Sequence, residues 1–477
     1  MSPILLELIV LTLGLALLLV ESFADRLNRN TIAIIGIIGL ALVFLLLQFG
    51  GFSSTAVAGY TQDKAALFFK KFALVTTIIV LIMSIDYSDT VRKFVHGITP
   101  QAGIGEFYSL PILTCAGLMW MASATDFILI FISLELVTVS FYTLVAFTRR
   151  NPSSLEAGAK YLILGALSTG FFIYGITWIY GVTQNTNLTA IAKVLPSIPA
   201  SDQNGLLFGA MLVLVGLGFK VAAAPFQFWV PDVYQGAPTP ITAFLSVGSK
   251  AAGFIVLLRV LEAFQSLPAV ESKLSFAIVL LAAATLVYGN LAALPQTNFK
   301  RLMAYSSIGH AGYLLMAVAS FGALDAGLAV VVYLAAYLLM TLLSFIVLII
   351  VAKNSEGDDI THFNGLSKRS PFLAFSLLIA MASLAGVPLT AGFLGKFLVF
   401  KVAFESQQFL LIVVAIITVG CGFYYYLKVV RAMYWQTTTG TQTAIPVSLL
   451  STITIGALVV LIFLFGIFPQ LGAGLLS

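Results

Sequence analysis

Apolar residues in this chain come in long, unbroken runs, separated by short polar connectors. Strict alternation is absent, which argues against a membrane sheet barrel. A helix that crosses a bilayer needs about 20 mostly apolar residues. By that ruler the runs fall at 4–20, 31–49, 66–84, 106–122, 126–147, 160–181, 206–224, 239–261, 274–294, 302–321, 326–352, 371–404, 409–430 and 447–468. The pattern therefore predicts an all-α polytopic membrane protein with about fourteen spans. The longest polar stretches, Gln184–Asn204 and Lys353–Ser370, read as connectors, so no soluble domain is expected. The first run lacks a basic flank before it and a small-residue cleavage site after it, and is expected to be a retained helix.

Two runs are interrupted. The seventh, LVGLGFKVAAAPFQFWVPDVYQGAPTP, carries Pro225 and Pro231. Proline removes a backbone donor and clashes with the preceding turn, so a break is expected near Ala224–Pro225, just after Lys220. The twelfth, MASLAGVPLTAGFLGKFLVF, carries Gly386, Pro388 and Gly392 just before Lys396. The two interrupted runs stand five apart in order, and each pairs a break with a buried lysine. Matched broken helices are the sequence trace of internal repeats in transporters. An odd offset reverses orientation in the membrane. The reading is two inverted five-helix repeats, helices 4–8 (106–262) and 9–13 (273–432). They follow helices 1–3 (1–105) and precede helix 14 (433–477).

Composition narrows the class. Hydrophobic residues make up 60% and charged residues 9%, against about 25% charged in an ordinary soluble domain. This excludes a soluble enzyme, a disordered chain and a nucleic-acid binder. The net charge of +5 then reads as a topology signal. Basic residues concentrate on the odd loops (Arg26, Arg29, Arg92, Lys93, Arg149, Arg150, Lys160, Lys300, Arg301, Lys353, Lys368, Arg369, Lys428 and Arg431). Fewer lie on the even ones (Lys64, Lys70, Lys71, Lys193, Arg259 and Lys273). The positive-inside rule places the odd loops in the cytoplasm and both termini on the other side. Cys115 and Cys421 lie inside apolar runs, with no metal or disulfide spacing, and read as packing residues.

An ionisable group at mid-membrane costs at least about 2.5–3.5 kcal/mol, so each deep one is a candidate for function. Glu135 lies midway along the fifth run. Lys220 precedes the first break, and a nearby glutamate would make it a tunable proton gate. Lys250 sits in the eighth run among Ser246, Gly248, Ser249, Ala251, Ala252 and Gly253, which leave room for water and close helix approach. His310, with Tyr305, Ser306 and Ser307 nearby, can relay protons near neutral pH. Lys396 follows the second break, in the place that matches Lys220, and is the candidate exit-side carrier. Lys401 lies nearer a helix end and reads as snorkelling. Tyr424–Tyr426 read as packing or interface aromatics. A line of lysines suits protons and repels metal cations, and no phosphate-binding or metal-ligand motif is present.

Three stretches carry a family resemblance: PFQFWVPDVYQGAPTPITAFLSVGSKAAGF (225–254), LMAYSSIGHAGYLL (302–315) and GVPLTAGFLGKF (386–397). They resemble the signatures of the antiporter-like membrane subunits of respiratory complex I, the NADH:quinone oxidoreductase, and of the N-type in particular. The likeness covers essentially the whole chain. Lys250 after Ser249, Lys396 rather than a glutamate, and an end at Ser477 without a long lateral helix separate the N-type from its L and M relatives. The resemblance implies a glutamate–lysine gate at Glu135 and Lys220, a central lysine at Lys250, the tenth-helix histidine at His310 and a terminal lysine at Lys396. It implies a subunit that translocates protons while quinone is reduced in partner subunits. FMN, iron–sulfur clusters and quinone would sit on those partners and none on this chain. Expected partners are a neighbouring antiporter-like subunit, small membrane subunits and lipids, and the expected location is a bacterial inner membrane. A Mrp-type cation/proton antiporter subunit and a standalone secondary transporter are the alternatives.

Overall fold

The computed structural model describes residues 4–23, 30–50, 59–95, 104–320, 325–355, 357–437 and 444–476. Arg26, Arg29, Phe321 and Ser477 lie outside the described residues. Among them the chain is helical, with only isolated bridges in place of sheet. Each predicted run overlaps a helix or a broken pair of helices. Eleven helices among the described residues are long and apolar enough to cross a membrane, against the fourteen spans expected.

The chain divides into two compact units. The first comprises 1–81, 94–222 and 248–278. Its helices are α1 (Leu5–Phe23), α2 (Thr31–Phe49), most of α3 (Lys64–Val95), α4 (Glu106–Ser123), α5 (Phe127–Val145), α6 (Pro152–Thr183), α7 (Leu188–Val194), α8 (Gln203–Val221) and α11 (Lys250–Phe264). Within it α6 packs along α8, α5 lies against α4 and α6, and α11 rests on α4 and α8. Glycine makes the α6–α8 approach possible. A methyl group built at Gly175 would lie 2.6 Å from the Gly209 carbonyl oxygen, and one at Gly216 would lie 2.7 Å from Phe172 Cβ. With lipid outside, such close backbone packing replaces the hydrophobic drive that holds soluble helices together.

The second unit comprises 82–93, 223–247 and 279–477. It contains α9 (Trp229–Gly236), α10 (Thr239–Phe244), most of α12 (Pro268–Ala293), α13 (Phe299–Ala319), α14 (Ala326–Ser355) and α15 (Leu366–Arg369). After these come α16 (Pro371–Ala385), α17 (Ala391–Glu405), α18 (Phe409–Trp435), α19 (Leu449–Ile467) and α20 (Pro469–Ala473). Here α14 packs against α16, α17 and α19, and α13 against α9, α14 and α17. The best apolar windows of α13 and α14 are 100% and 94% buried, whereas that of α19 is 22% buried. Helix α19 is thus peripheral and largely exposed, whereas α13 and α14 are buried.

Both interrupted runs break where a residue enters the left-handed region. α8 stops at Val221, and Ala222 turns with φ 62°. This is three residues before the expected Ala224–Pro225 point, because the cap closes the helix ahead of the proline. α16 stops at Ala385, and Gly386 turns with φ 91°. Gly392, expected to help break the run, instead lies inside α17.

A second correspondence joins the two halves of the sequence. In the first unit Phe127 N donates to Thr186 O and Leu188 N to Thr125 O, and Asp126 bridges Asn187. In the second unit Phe299 N donates to Asp358 O and Ile360 N to Thr297 O, and Asn298 bridges Asp359. The same motif ties the start of a helix to the loop after the next helix, with the same spacing along the chain.

Candidate functional site

In the first unit the candidates gather around α5, α8 and α11. Glu135 on α5 accepts a hydrogen bond from Thr169 Oγ1 on α6 at 2.9 Å. One turn further along α5, Thr138 Oγ1 accepts from Lys220 Nζ. Residues three apart share a helix face, so α5 presents Glu135 and the partner of Lys220 side by side. Lys220 lies within electrostatic reach of Glu135. It is buried and sits in the last turn of α8, where the carbonyl end of the helix dipole favours a cation. Glu135 is only half-buried. It stands at the margin of the site, open to whatever lies beyond α5. Tyr142, two turns on from Glu135, packs edge-to-face on Tyr161, with ring centroids 5.1 Å apart.

Lys250 begins α11, directly after a π-helical turn at Leu245–Ser249. Such turns are rare and concentrate at functional sites. The Ser249 side chain meets the Tyr161 hydroxyl. Among the small residues around Lys250, Gly253 allows the close helix approach expected there. A methyl group at Gly253 would lie 2.9 Å from Val221 Cγ1 and 3.5 Å from Lys220 Cβ. Gly253 thus lets α11 approach α8 at Lys220, one turn away from Lys250. Glu135 and Lys220 therefore share one site, and the buried Lys250 lies one helical turn from the point where α11 meets α8.

In the second unit His310 is buried on α13 and held by two tyrosines. Its Nδ1 pairs with Tyr333 Oη at 2.7 Å and its Nε2 with Tyr426 Oη at 3.1 Å. Tyr426 also bonds Ser306. Tyr337 donates to Ser307 at 2.8 Å, and Tyr234 stands 3.3 Å from the same hydroxyl. Tyr425 donates to Asn290 at 3.1 Å. These hydroxyls form a polar web of two strings inside an apolar bundle, one joining Tyr333, His310, Tyr426 and Ser306 and the other Tyr337, Ser307 and Tyr234. Ser306 and Ser307 join it as expected. Tyr305 does not, and lies instead against Tyr288 and the Arg301 guanidinium. Tyr425 and Tyr426, expected as packing or interface aromatics, are part of the web, and only Tyr424 faces outward.

Lys396 is buried on α17 and reaches back across the break. Its Nζ donates to Leu384 O at 3.0 Å and Ala385 O at 2.7 Å, the last carbonyls of α16. The Tyr313 ring lies 5.2 Å from the same atom. Gly386 is required twice over. Its φ of 91° suits glycine, and a Cβ there would lie 2.9 Å from Lys396 Cδ. The expected equivalence with Lys220 needs correction. Lys220 precedes its break on the first half-helix, whereas Lys396 follows its break on the second. What they share is a cation at the carbonyl end of a first half-helix.

Lys401 behaves as expected for a peripheral lysine, pairing with Asp325 at 2.7 Å while remaining partly exposed. Two lysines counted as loop charges are instead buried. Lys300 donates to Ala237 O at 2.7 Å and lies 3.5 Å from Asp358, and Lys70 pairs with Glu7 at 2.8 Å. The available signal was Glu7 itself, an acid inside the first apolar run. Cys115 and Cys421 are free thiols. Among the described residues no group of three His, Cys, Asp or Glu side chains could hold a metal ion.

Residues 124–422 match the family model described as NADH:quinone oxidoreductase/Mrp antiporter, TM. Subunit N of the NADH-quinone oxidoreductase of Trichlorobacter lovleyi is 39% identical, over 90% of this chain and 86% of its own length. Subunit N from Moorella thermoacetica is 38% identical, over 97% of this chain and 94% of its own length. A chain of respiratory complex I from Thermus thermophilus, solved with bound aureothin, superimposes with a TM-score of 0.81 at 33% identity, covering 98% of both chains.

Proposed function

The chain belongs to the NADH:quinone oxidoreductase/Mrp antiporter family of membrane subunits, and from that premise we propose that it is the N-type subunit of a proton-translocating NADH:quinone oxidoreductase. The observation that carries this is likeness to subunit N along nearly the entire length. The chain is a multi-pass membrane protein and contributes to a translocase. The redox centres, FMN, iron–sulfur clusters and quinone, belong to partner subunits. The membrane is a bacterial inner membrane, with both termini on the non-cytoplasmic side.

Proton movement follows from the side chains. Quinone reduction elsewhere shifts charge toward this chain at Glu135, the one candidate that is only half-buried. Protonating Glu135 removes the anion beside Lys220, and the ammonium gives up its proton toward Lys250. In the second unit His310, inside its tyrosine web, passes a proton on toward Lys396. Lys396 holds it against the Leu384 and Ala385 carbonyls before release. Neighbouring sites that exchange charge titrate as a group, not singly. The matching glycine or alanine turns, and the matching bridges at Asp126–Asn187 and Asn298–Asp359, support two repeats over 106–262 and 273–432. Residues 1–105 and 433–477 flank them.

The test is purification of the tagged chain from its native membrane in mild detergent. Flavin and iron–sulfur absorbance with inhibitor-sensitive NADH-to-quinone activity is the expected result. Lys220→Met in that complex is expected to lower protons moved per NADH. A colourless assembly of membrane subunits with sodium-dependent proton flux would overturn the proposal in favour of a Mrp-type antiporter.

A further inference from the structure

The first unit holds a second glutamate–lysine pair, outside both repeats. Glu7, in the first turn of α1, and Lys70, in the second turn of α3, are both fully buried, with Nζ 2.8 Å from Oε1. Tyr60, in the segment before α3, donates to the same Oε1 at 2.9 Å and accepts from Lys70 Nζ at 2.6 Å. Ser123, at the end of α4, faces the Tyr60 hydroxyl. Both contacts to the carboxylate fall on Oε1. The other oxygen, Oε2, is buried and has no hydrogen-bond partner among the described residues.

A static ion pair would be built differently. Burying two charges is costly, and the cost is offset only when the remaining lone pairs are also satisfied. Here one carboxylate oxygen has no partner among the described residues. A proton on Oε2 would remove that penalty, while Lys70 keeps its bonds to Oε1 and the Tyr60 hydroxyl and its charge stays within electrostatic reach of Asp63. Burial, with the Glu7 carboxylate beside it, pushes the Tyr60 hydroxyl well above its usual range, so Tyr60 serves as a donor and not as an acid.

The other charged and titratable neighbours are Asp63 and Arg259, within electrostatic reach of Lys70, and Cys115 on α4, within reach of Glu7. Asp63, nearly half exposed, forms a two-pronged pair with Arg259 at 3.0 Å for each bond. Arg259 also donates to Ala122 O at 2.8 Å. It lies on α11, the helix that begins with Lys250. The pair is thus adjacent to a partly exposed charged pair whose arginine lies on the same helix as Lys250.

We propose that Glu7, Lys70 and Tyr60 form a second proton-binding site, in the N-terminal helices, that takes a proton from water on Glu7 Oε2. The step forms one O–H bond, neutralises the carboxylate and leaves Lys70 an ammonium. Its part in transport rests on the proton-translocating reading given above, whereas proton binding does not.

The experiment is infrared difference spectroscopy on the assembled complex, with proton pumping measured on the same preparations. The wild-type spectrum is expected to hold a protonated-carboxyl band that shifts in D2O and is missing in Glu7→Gln. Pumping per NADH is expected to fall at least twofold in Glu7→Gln. The double variant Glu7→Gln with Lys70→Met, which leaves no unpaired charge to disturb assembly, is expected to pump as weakly as the single variant. Identical carboxyl bands in wild type and Glu7→Gln would overturn the site. Loss of pumping in Lys220→Met beside normal pumping in both Glu7 variants would overturn its role in transport and leave the main reading standing. Normal pumping in Lys220→Met would overturn the main reading, with the band still deciding whether Glu7 binds a proton.

Discussion

Replacing Lys396 with arginine separates a proton carrier from a helix cap. Both roles use the bonds from Nζ to Leu384 O and Ala385 O. Arginine keeps the positive charge and can make the same two bonds, so a cap is retained. A guanidinium, however, does not release its proton in proteins. Its intrinsic pKa exceeds that of a lysine ammonium by at least about 2 units, or roughly 2.8 kcal/mol. Added to the barrier of the release step, that slows it by about a hundredfold. Space is close, because a Cβ at Gly386 would already lie 2.9 Å from Lys396 Cδ. Lys396→Met is therefore the companion variant. It loses two charge-assisted bonds of about 1.5–3 kcal/mol each, but it also removes a buried charge whose desolvation costs several kcal/mol. The two effects offset, and assembly is expected to survive. The assay is proton uptake per NADH in sealed vesicles, normalised to flavin content. Both variants are expected to assemble and to lose the flux through this chain. Arginine pumping at the wild-type rate while methionine fails would refute the reasoning and make Lys396 a static cap.

Two further outcomes follow from the geometry. Tyr426→Phe removes the bonds to His310 Nε2 and Ser306 without changing ring packing, and is expected to slow pumping tenfold or more while the complex assembles at wild-type levels. Gly209→Leu drives a side chain into a contact where even a methyl would meet the Gly175 carbonyl oxygen at 2.8 Å. It should cost about 1–3 kcal/mol by overpacking, visible as a lower melting temperature in detergent, and should pull Thr169 on α6 away from the α8 side of the site.

Lipid as solvent explains how far the sequence alone could be read. A membrane helix must satisfy its own backbone and face hydrocarbon, so length and apolarity are written locally along the chain. The helices, the two breaks and the buried candidates Lys220, Lys250, His310 and Lys396 were legible for that reason. So was the need for a counter-charge near Lys220, since a lone buried ammonium is too costly to keep. Glycine at 386 was legible as a breaker because only a residue without Cβ turns there at no cost.

The partners, by contrast, come from segments distant in sequence, and no local pattern encodes them. Thr138 and Thr169 look like ordinary helix threonines until α5, α6 and α8 meet. Tyr333 and Tyr426 stand 23 and 116 residues from His310, and an aromatic ring reads as packing until its hydroxyl finds a nitrogen. Lys70 looked like a loop charge because a lysine near a helix end can ordinarily snorkel to water. Only the fold, by setting Glu7 and Tyr60 against it 2.8 and 2.6 Å away, turns that charge inward. The sequence by itself determined which groups are too costly to bury idly. The tertiary structure decided which of them meet, because hydrogen bonds and ion pairs act over a few ångströms while their partners lie scores of residues apart.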